Sequence, residues 1–381
     1  MAELEKGPFR ADHVGSFLRP QVLKNARQKH AEGKITREEL TAIEDEQIAG
    51  IVSMQETAGI KSVTDGDFRR TSWSGDFLTA INGVEMGSGI VSPSAATGYV
   101  DTPVGGIVQN WQPPTPYTSS RLIWPEGGIQ RKSFTYLKGI TNQTPKVTIP
   151  SPSMLHFRGG RGGVDEAAYP DMEEFFADVS AVWRSEIMDL ASVGCRYVQL
   201  DDTNMAYLCD PTFRERVSAL GEDPDELPFC YARLINDAIK DRPDDMAITV
   251  HLCRGNSLSR GHAEGGYEPV AETMFNEFKV DGFFLEYDDA RSGGFSPLRF
   301  VPKDLRIVLG LVTSKFGQME SRDDLKRRLE EASKYLPVKQ MCLSPQCGFS
   351  SHTGGNLLNE EAQAGKLAQI TSFADEFWGG S

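Results

Sequence analysis

Short apolar runs recur along the chain, separated by longer stretches in which apolar residues return every three or four positions. The runs cover residues 11–15, 60–64, 146–150, 196–200, 247–251, 282–286, 306–310 and 341–344. They are continuous rather than alternating, as strands of a buried parallel sheet are. Helical spacing is predicted over 35–58, 171–193, 228–240, 268–278, 321–335 and 360–377. The first of these starts with Thr36 ahead of Arg37-Glu38-Glu39, an N-cap pattern, and stops at Gly59. Strand-then-helix order repeated eight times predicts an α/β fold, a (β/α)8 TIM barrel formed as a single domain by residues 1–381. A doubly wound open sheet is the alternative architecture, and no Gly-x-Gly-x-x-Gly follows the first run to support it.

One stretch breaks this rhythm. From about residue 83 to 142 the chain is rich in Gly, Pro, Ser and Thr, too long for one helical connection between strands two and three. Strand-like pieces, Gly106-Ile107-Val108 and Phe134-Thr135-Tyr136, predict a β-rich insertion, a hairpin or lid over one end of the barrel. No short-period repeat or low-complexity linker divides the chain.

Charge narrows the function classes. A net charge of −14 is the wrong sign for a nucleic-acid partner, which clustered Lys and Arg would mark. No apolar run approaches the roughly 18 residues that span a bilayer, so no membrane role is expected. The opening Met1-Ala2-Glu3-Leu4-Glu5-Lys6 carries acids where a secretory signal carries bases, and a cytoplasmic location is expected. There the six cysteines read as buried, metal-bound or reactive rather than as disulfides. Cys195 and Cys342 sit beside or within strands and read as core.

His251-Leu252-Cys253 is the most informative cluster. Residues two apart on an extended segment face the same side, so imidazole and thiol can meet one ion. Glu286 ends an apolar run one strand–helix–strand unit later, and Cys347 follows the last run two units beyond it. All four fall at C-terminal strand ends, the face where barrel active sites are built. His, Cys, Glu and Cys so placed read as a tetrahedral site for one zinc ion. Two thiolates and a carboxylate would leave that centre formally near −1, poor for activating water. It suits stripping the proton from a substrate thiol, since coordinated thiols ionise outright. Around it, Gly15 and Ser16 can present a backbone N–H and a hydroxyl. Asp67 and Asp201 can hold an ammonium, and Arg10, Arg69 or Arg70 can hold a carboxylate or sulfonate. His13, His156, His262 and His352 are further candidates for the pocket, with His13 the best placed for a second role.

These segments resemble cobalamin-independent methionine synthase. His251-Leu252-Cys253, Glu286 and Cys347-Gly348 resemble its zinc ligands. Val14-Gly15-Ser16-Phe17, Asp65-Gly66-Asp67 and Tyr197-Val198-Gln199-Leu200-Asp201 look like its homocysteine-binding segments. The likeness covers the C-terminal catalytic barrel alone, and is closer still to a short single-barrel, methionine synthase-like branch. It implies methyl transfer to homocysteine, with Ser16, Asp67 and Asp201 on the amino-acid part and a folate or a methylcorrinoid, free or on a corrinoid protein, as donor. Asp67 and Asp202 replace glutamates of the family. Residues 151–157 lack its folate-stacking tryptophan. Thr313-Ser314-Lys315 stands where the family has a catalytic histidine, so Lys315 is a candidate proton donor or anion contact. The alternatives are a coenzyme M type epoxide–thiol alkyltransferase with Arg70 on the sulfonate, a zinc hydrolase or lyase, and a non-catalytic thiol- or zinc-binding protein. The pattern carries no reading of oligomeric state.

Overall fold

The computed structural model describes residues 6–87, 115–256 and 259–379. Its strands are β1 (Ser62–Val63), β2 (Asn82–Gly87), β3 (Thr115–Ile123), β4 (Thr144–Pro145), β5 (Val147–Pro150), β6 (Tyr197–Asp202), β7 (Ala247–Leu252), β8 (Gly282–Glu286), β9 (Arg306–Val312) and β10 (Met341–Pro345). Strands β5 to β10 form one parallel sheet in sequence order, each followed by helix, which is the (β/α)8-barrel arrangement. Every residue of β5 to β8 and of β10 is buried, as in a parallel sheet covered on both faces.

The remaining two barrel positions depart from regular strands. The expected first strand, 11–15, is reduced to a single parallel bridge between Ala11 and Leu343 of β10. The expected second strand shrinks to β1, which pairs in parallel with β4. Side chains take over where the ladder is missing. Asp12 Oδ1 accepts from Ser62 Oγ at 2.7 Å, His13 Nε2 lies 2.8 Å from the Ser62 carbonyl, and Thr64 Oγ1 donates to the Gly15 carbonyl at 2.6 Å. Polar side chains in a buried segment thus satisfy the backbone groups that a strand would have paired.

Lys146 separates β4 from β5 and is buried inside the barrel. Its ammonium meets Asp12 Oδ1 at 2.9 Å and Gln199 Oε1 at 3.1 Å, while Asp12 Oδ2 accepts from the Tyr197 hydroxyl at 2.9 Å. This satisfied polar cluster ties strand positions one, three and four together.

The 35–58 helix is observed as Arg37–Thr57 with a complete capping box. Glu39 N donates to Thr36 Oγ1 at 3.2 Å and Thr36 N to Glu39 Oε2 at 2.7 Å. The five other expected helices are present, with ends that differ by at most three residues. Helices at Gln21–Ala31, Gly75–Ala80, Arg131–Ile140 and Pro211–Ala219 escaped the pattern.

Within 83–142, β2 and β3 form an antiparallel pair. The Gly106-Ile107-Val108 piece lies outside the described residues. Phe134-Thr135-Tyr136, expected as strand, belongs to the Arg131–Ile140 helix. Phe134 and Leu137, three apart, are its buried residues, so helical spacing over a longer window overrides the local β-favouring triplet. No helix among the described residues is long and apolar enough to cross a membrane.

Candidate metal centre

His251 lies within β7 and Cys253 just after it, where Cys253 N still donates to the Asp202 carbonyl at 2.8 Å. Glu286 is the last residue of β8. Cys347 follows β10 across a register shift at Ser344/Pro345. Gly310 of β9 permits that shift, because a Cβ there would sit 2.6 Å from the Gln346 Cα.

These four side chains converge. One ligand atom from each can be chosen so that all lie within 4.8 Å of one another. The two thiols are 3.4 Å apart and all four residues are buried. His251 Nδ1 is engaged by Asp201 Oδ1 at 3.1 Å, and Glu286 Oε1 accepts from Arg254 N at 2.9 Å. His251 Nε2 and Glu286 Oε2 are buried with no hydrogen-bond partner in the protein. Two orphaned donor atoms beside two close thiols are what a tetrahedral N/S/O site for a metal ion requires.

The electrostatics agree. Burial and the Cys347 charge raise the Glu286 carboxyl to about 7, against the pull of Lys315. Burial alone would depress the His251 imidazole, but the hydrogen bond to Asp201 and the neighbouring Cys347 charge lift it to about 10. The hydrogen bond from Cys253, with His251 beside it, draws the Cys347 thiol well below its ordinary value. That same hydrogen bond, with burial, pushes Cys253 up. A divalent cation held there would displace the protons that these donors carry.

A cavity of about 350 Å3 is lined by His251, Cys253 and Cys347 together with Val14, Ser16, Asp67, Asp201 and Gly348. Asp67 adopts φ 61° and faces Arg70 Nη1 at 3.2 Å and Thr148 Oγ1 at 3.3 Å. Its carboxyl is raised by burial, against Arg70. Gly348 lies so close to Ser16 that a Cβ there would fall 1.9 Å from the hydroxyl.

Most other sequence candidates lie outside this lining. Gly15 sits behind Ser16, accepting from Thr64. His13 is buried in the barrel closure, where burial and Lys146 lower it to about 4. Arg70 stands behind Asp67 and also donates to the Thr148 carbonyl. Asp202 caps the short Asn204–Tyr207 helix through Asn204 N and Met205 N and accepts from Ser153 Oγ at 2.6 Å. Lys315 pairs with Asp288 at 3.4 Å, and despite burial its pKa is raised by Asp288 and Glu286. Arg10 donates to the Lys339 and Met341 carbonyls, and Arg69 pairs with Asp45 and Glu44. His262 and His352 do line the cavity, whereas His156 packs on Tyr231 and Glu222. Trp73, Arg158, Tyr207 and Asn256 also line it. They come from loops and short helices with no recognisable motif, so no sequence signal marked them.

Residues 9–368 match the family described as cobalamin-independent synthase, catalytic domain. The Bacillus subtilis protein YxjH, of uncharacterised function, is 46% identical over 98% of this chain and 96% of its own. The methionine synthase of Pyrococcus horikoshii is 22% identical, covering 88% of this chain and 85% of its own. A Listeria monocytogenes crystal structure, provisionally described as a vitamin-B12-independent methionine synthase, superposes with TM-score 0.77 and 37% identity. It covers 98% of this chain and 99% of that one.

Proposed function

We propose that this chain, which belongs to the cobalamin-independent synthase catalytic-domain family, is a zinc-dependent thiol alkyltransferase that methylates homocysteine or a similar small thiol. The observation that carries this reading is the convergence of His251, Cys253, Glu286 and Cys347 on one point, with Nε2 and Oε2 unpartnered. Zinc held there would supply the Lewis acidity that ionises a ligated thiol at neutral pH. Imidazole, two thiols and a carboxylate are the donor types that hold this ion.

The remaining groups bind and orient the acceptor. Asp67 and Asp201 line the same cavity and offer carboxylates to an ammonium. Ser16, held against Gly348, offers a hydroxyl to the acid group. Asp201 also fixes the His251 ring through Nδ1, which leaves Nε2 for the ion. Glu286, anchored by one oxygen alone, is the donor that yields its place most readily to an incoming thiol. A folate or a methylcorrinoid is the proposed methyl donor.

Zinc X-ray absorption of the purified protein, with and without homocysteine, tests the reading. One added sulfur scatterer with homocysteine supports it. No change with homocysteine but a gain with coenzyme M moves the acceptor to another thiol. Absence of stoichiometric zinc refutes the centre.

A further inference from the structure

Arg254 directly follows Cys253 and is 0% exposed, among the largest fully buried side chains of the chain. Its guanidinium lies 4.3 Å from the centroid of the Tyr267 ring. Nε, Nη1 and Nη2 are all buried and meet no carboxylate or carbonyl among the described residues; the Tyr267 and Cys209 side chains lie against them. A cation so deeply desolvated normally has a carboxylate on its donors, and a ring face offsets only part of the cost. The compensation must come from a negative field nearby.

Glu286 of the metal centre is one of the groups whose charge acts on it, after Tyr267 and Cys209. Arg254 N donates to Glu286 Oε1 at 2.9 Å, and the Tyr267 hydroxyl beneath the guanidinium donates to the Glu286 carbonyl at 3.2 Å. Tyr287 packs edge-on to Tyr267 with centroids 5.3 Å apart, a buried aromatic floor that keeps the local dielectric low. Two thiolates and a carboxylate around a divalent ion sum to one negative charge. One guanidinium cancels it.

We infer that Arg254 is the counter-charge of the metal centre, a positioning residue whose fixed positive charge offsets the anionic donor set around the ion. The inference rests on the proposed zinc centre at His251, Cys253, Glu286 and Cys347. It explains why a buried charged side chain with no carboxylate on its donors is retained next to a ligand. A divalent ion held by two thiolates and a carboxylate is anionic overall, and a fixed positive charge beside it favours its retention.

Zinc affinity by chelator competition tests it on the unaltered chain, Arg254→Met and Arg254→Lys, with the thermal midpoint of each metal-free form recorded alongside. Arg254→Met is expected to bind zinc about 10- to 100-fold more weakly. Arg254→Lys, which keeps the charge, is expected to recover most of that loss. The metal-free midpoint of Arg254→Met is expected to be unchanged or higher, since a buried cation without a carboxylate on its donors has been removed. If Arg254→Met does not fold, Arg254→Gln is compared with Arg254→Lys in the same way. A neutral variant that binds zinc as tightly as the unaltered chain overturns the inference and leaves the proposed centre standing. So does a lysine variant as weak as the neutral one. An unaltered chain that takes up no zinc overturns both.

Discussion

Asp201 Oδ1 lies 3.1 Å from His251 Nδ1, and the same oxygen accepts from Gln199 Nε2 at 2.7 Å. One carboxylate at the end of β6 therefore sets the tautomer and tilt of the imidazole on β7 while lining the cavity itself. Replacing it with Asn keeps the shape but removes the charge that orients the ring. Asp201→Asn is expected to weaken zinc binding about 10- to 100-fold. It is also expected to raise KM for the thiol, through loss of an ammonium contact. Chelator competition and steady-state kinetics read the two effects separately.

Gly348 and Ser16 make a second contact without slack. A methyl group at Gly348 would fall 1.9 Å from the Ser16 hydroxyl, so Gly348→Ala must displace Ser16 from the cavity wall. The expected cost is about 1–3 kcal/mol of stability, with a raised KM for the thiol. Unchanged KM beside an unchanged melting temperature would show that the contact relaxes freely.

The cysteines should separate by reactivity. Burial pushes Cys195 and Cys342 up to about 12, while Cys347 is held well below its ordinary value by Cys253 and His251. After metal removal, alkylation at pH 7 followed by peptide mass mapping should label Cys347 first and leave Cys195 and Cys342 unlabelled. With zinc bound, Cys347 should be protected.

Acid should loosen the barrel closure. His13 has a folded-state pKa of about 4 because of burial and Lys146, against an ordinary 6.5. Between those values the unfolded chain binds the extra proton, so stability rises with pH across this window and is lost as pH falls from 6.5 towards 4. A His13→Asn variant, which cannot titrate, should show a flatter melting temperature against pH over that window. An unchanged slope would show that other groups carry the acid sensitivity.

Much of this was legible beforehand because the decisive signals are local. Thr36 with Glu39 announces a capped helix, and six continuous apolar runs announce strands that are buried on both faces. The sixth and eighth runs end in or just before Glu286 and Cys347, and the fifth contains His251. Residues 134–136 misled because a triplet cannot show the period that assigns it to a helix.

Residue type and position relative to the strands determined the architecture and the four converging donors, since parallel strand ends in a barrel must share one face. Only the tertiary structure decided which neighbours reach that face. It set Asp202 to capping, Arg70 behind Asp67 and His13 into the barrel closure, while bringing Arg158, His262 and His352 to the cavity from separate loops. Side-chain direction in a loop depends on contacts hundreds of residues away, and no short-range pattern along the chain records them.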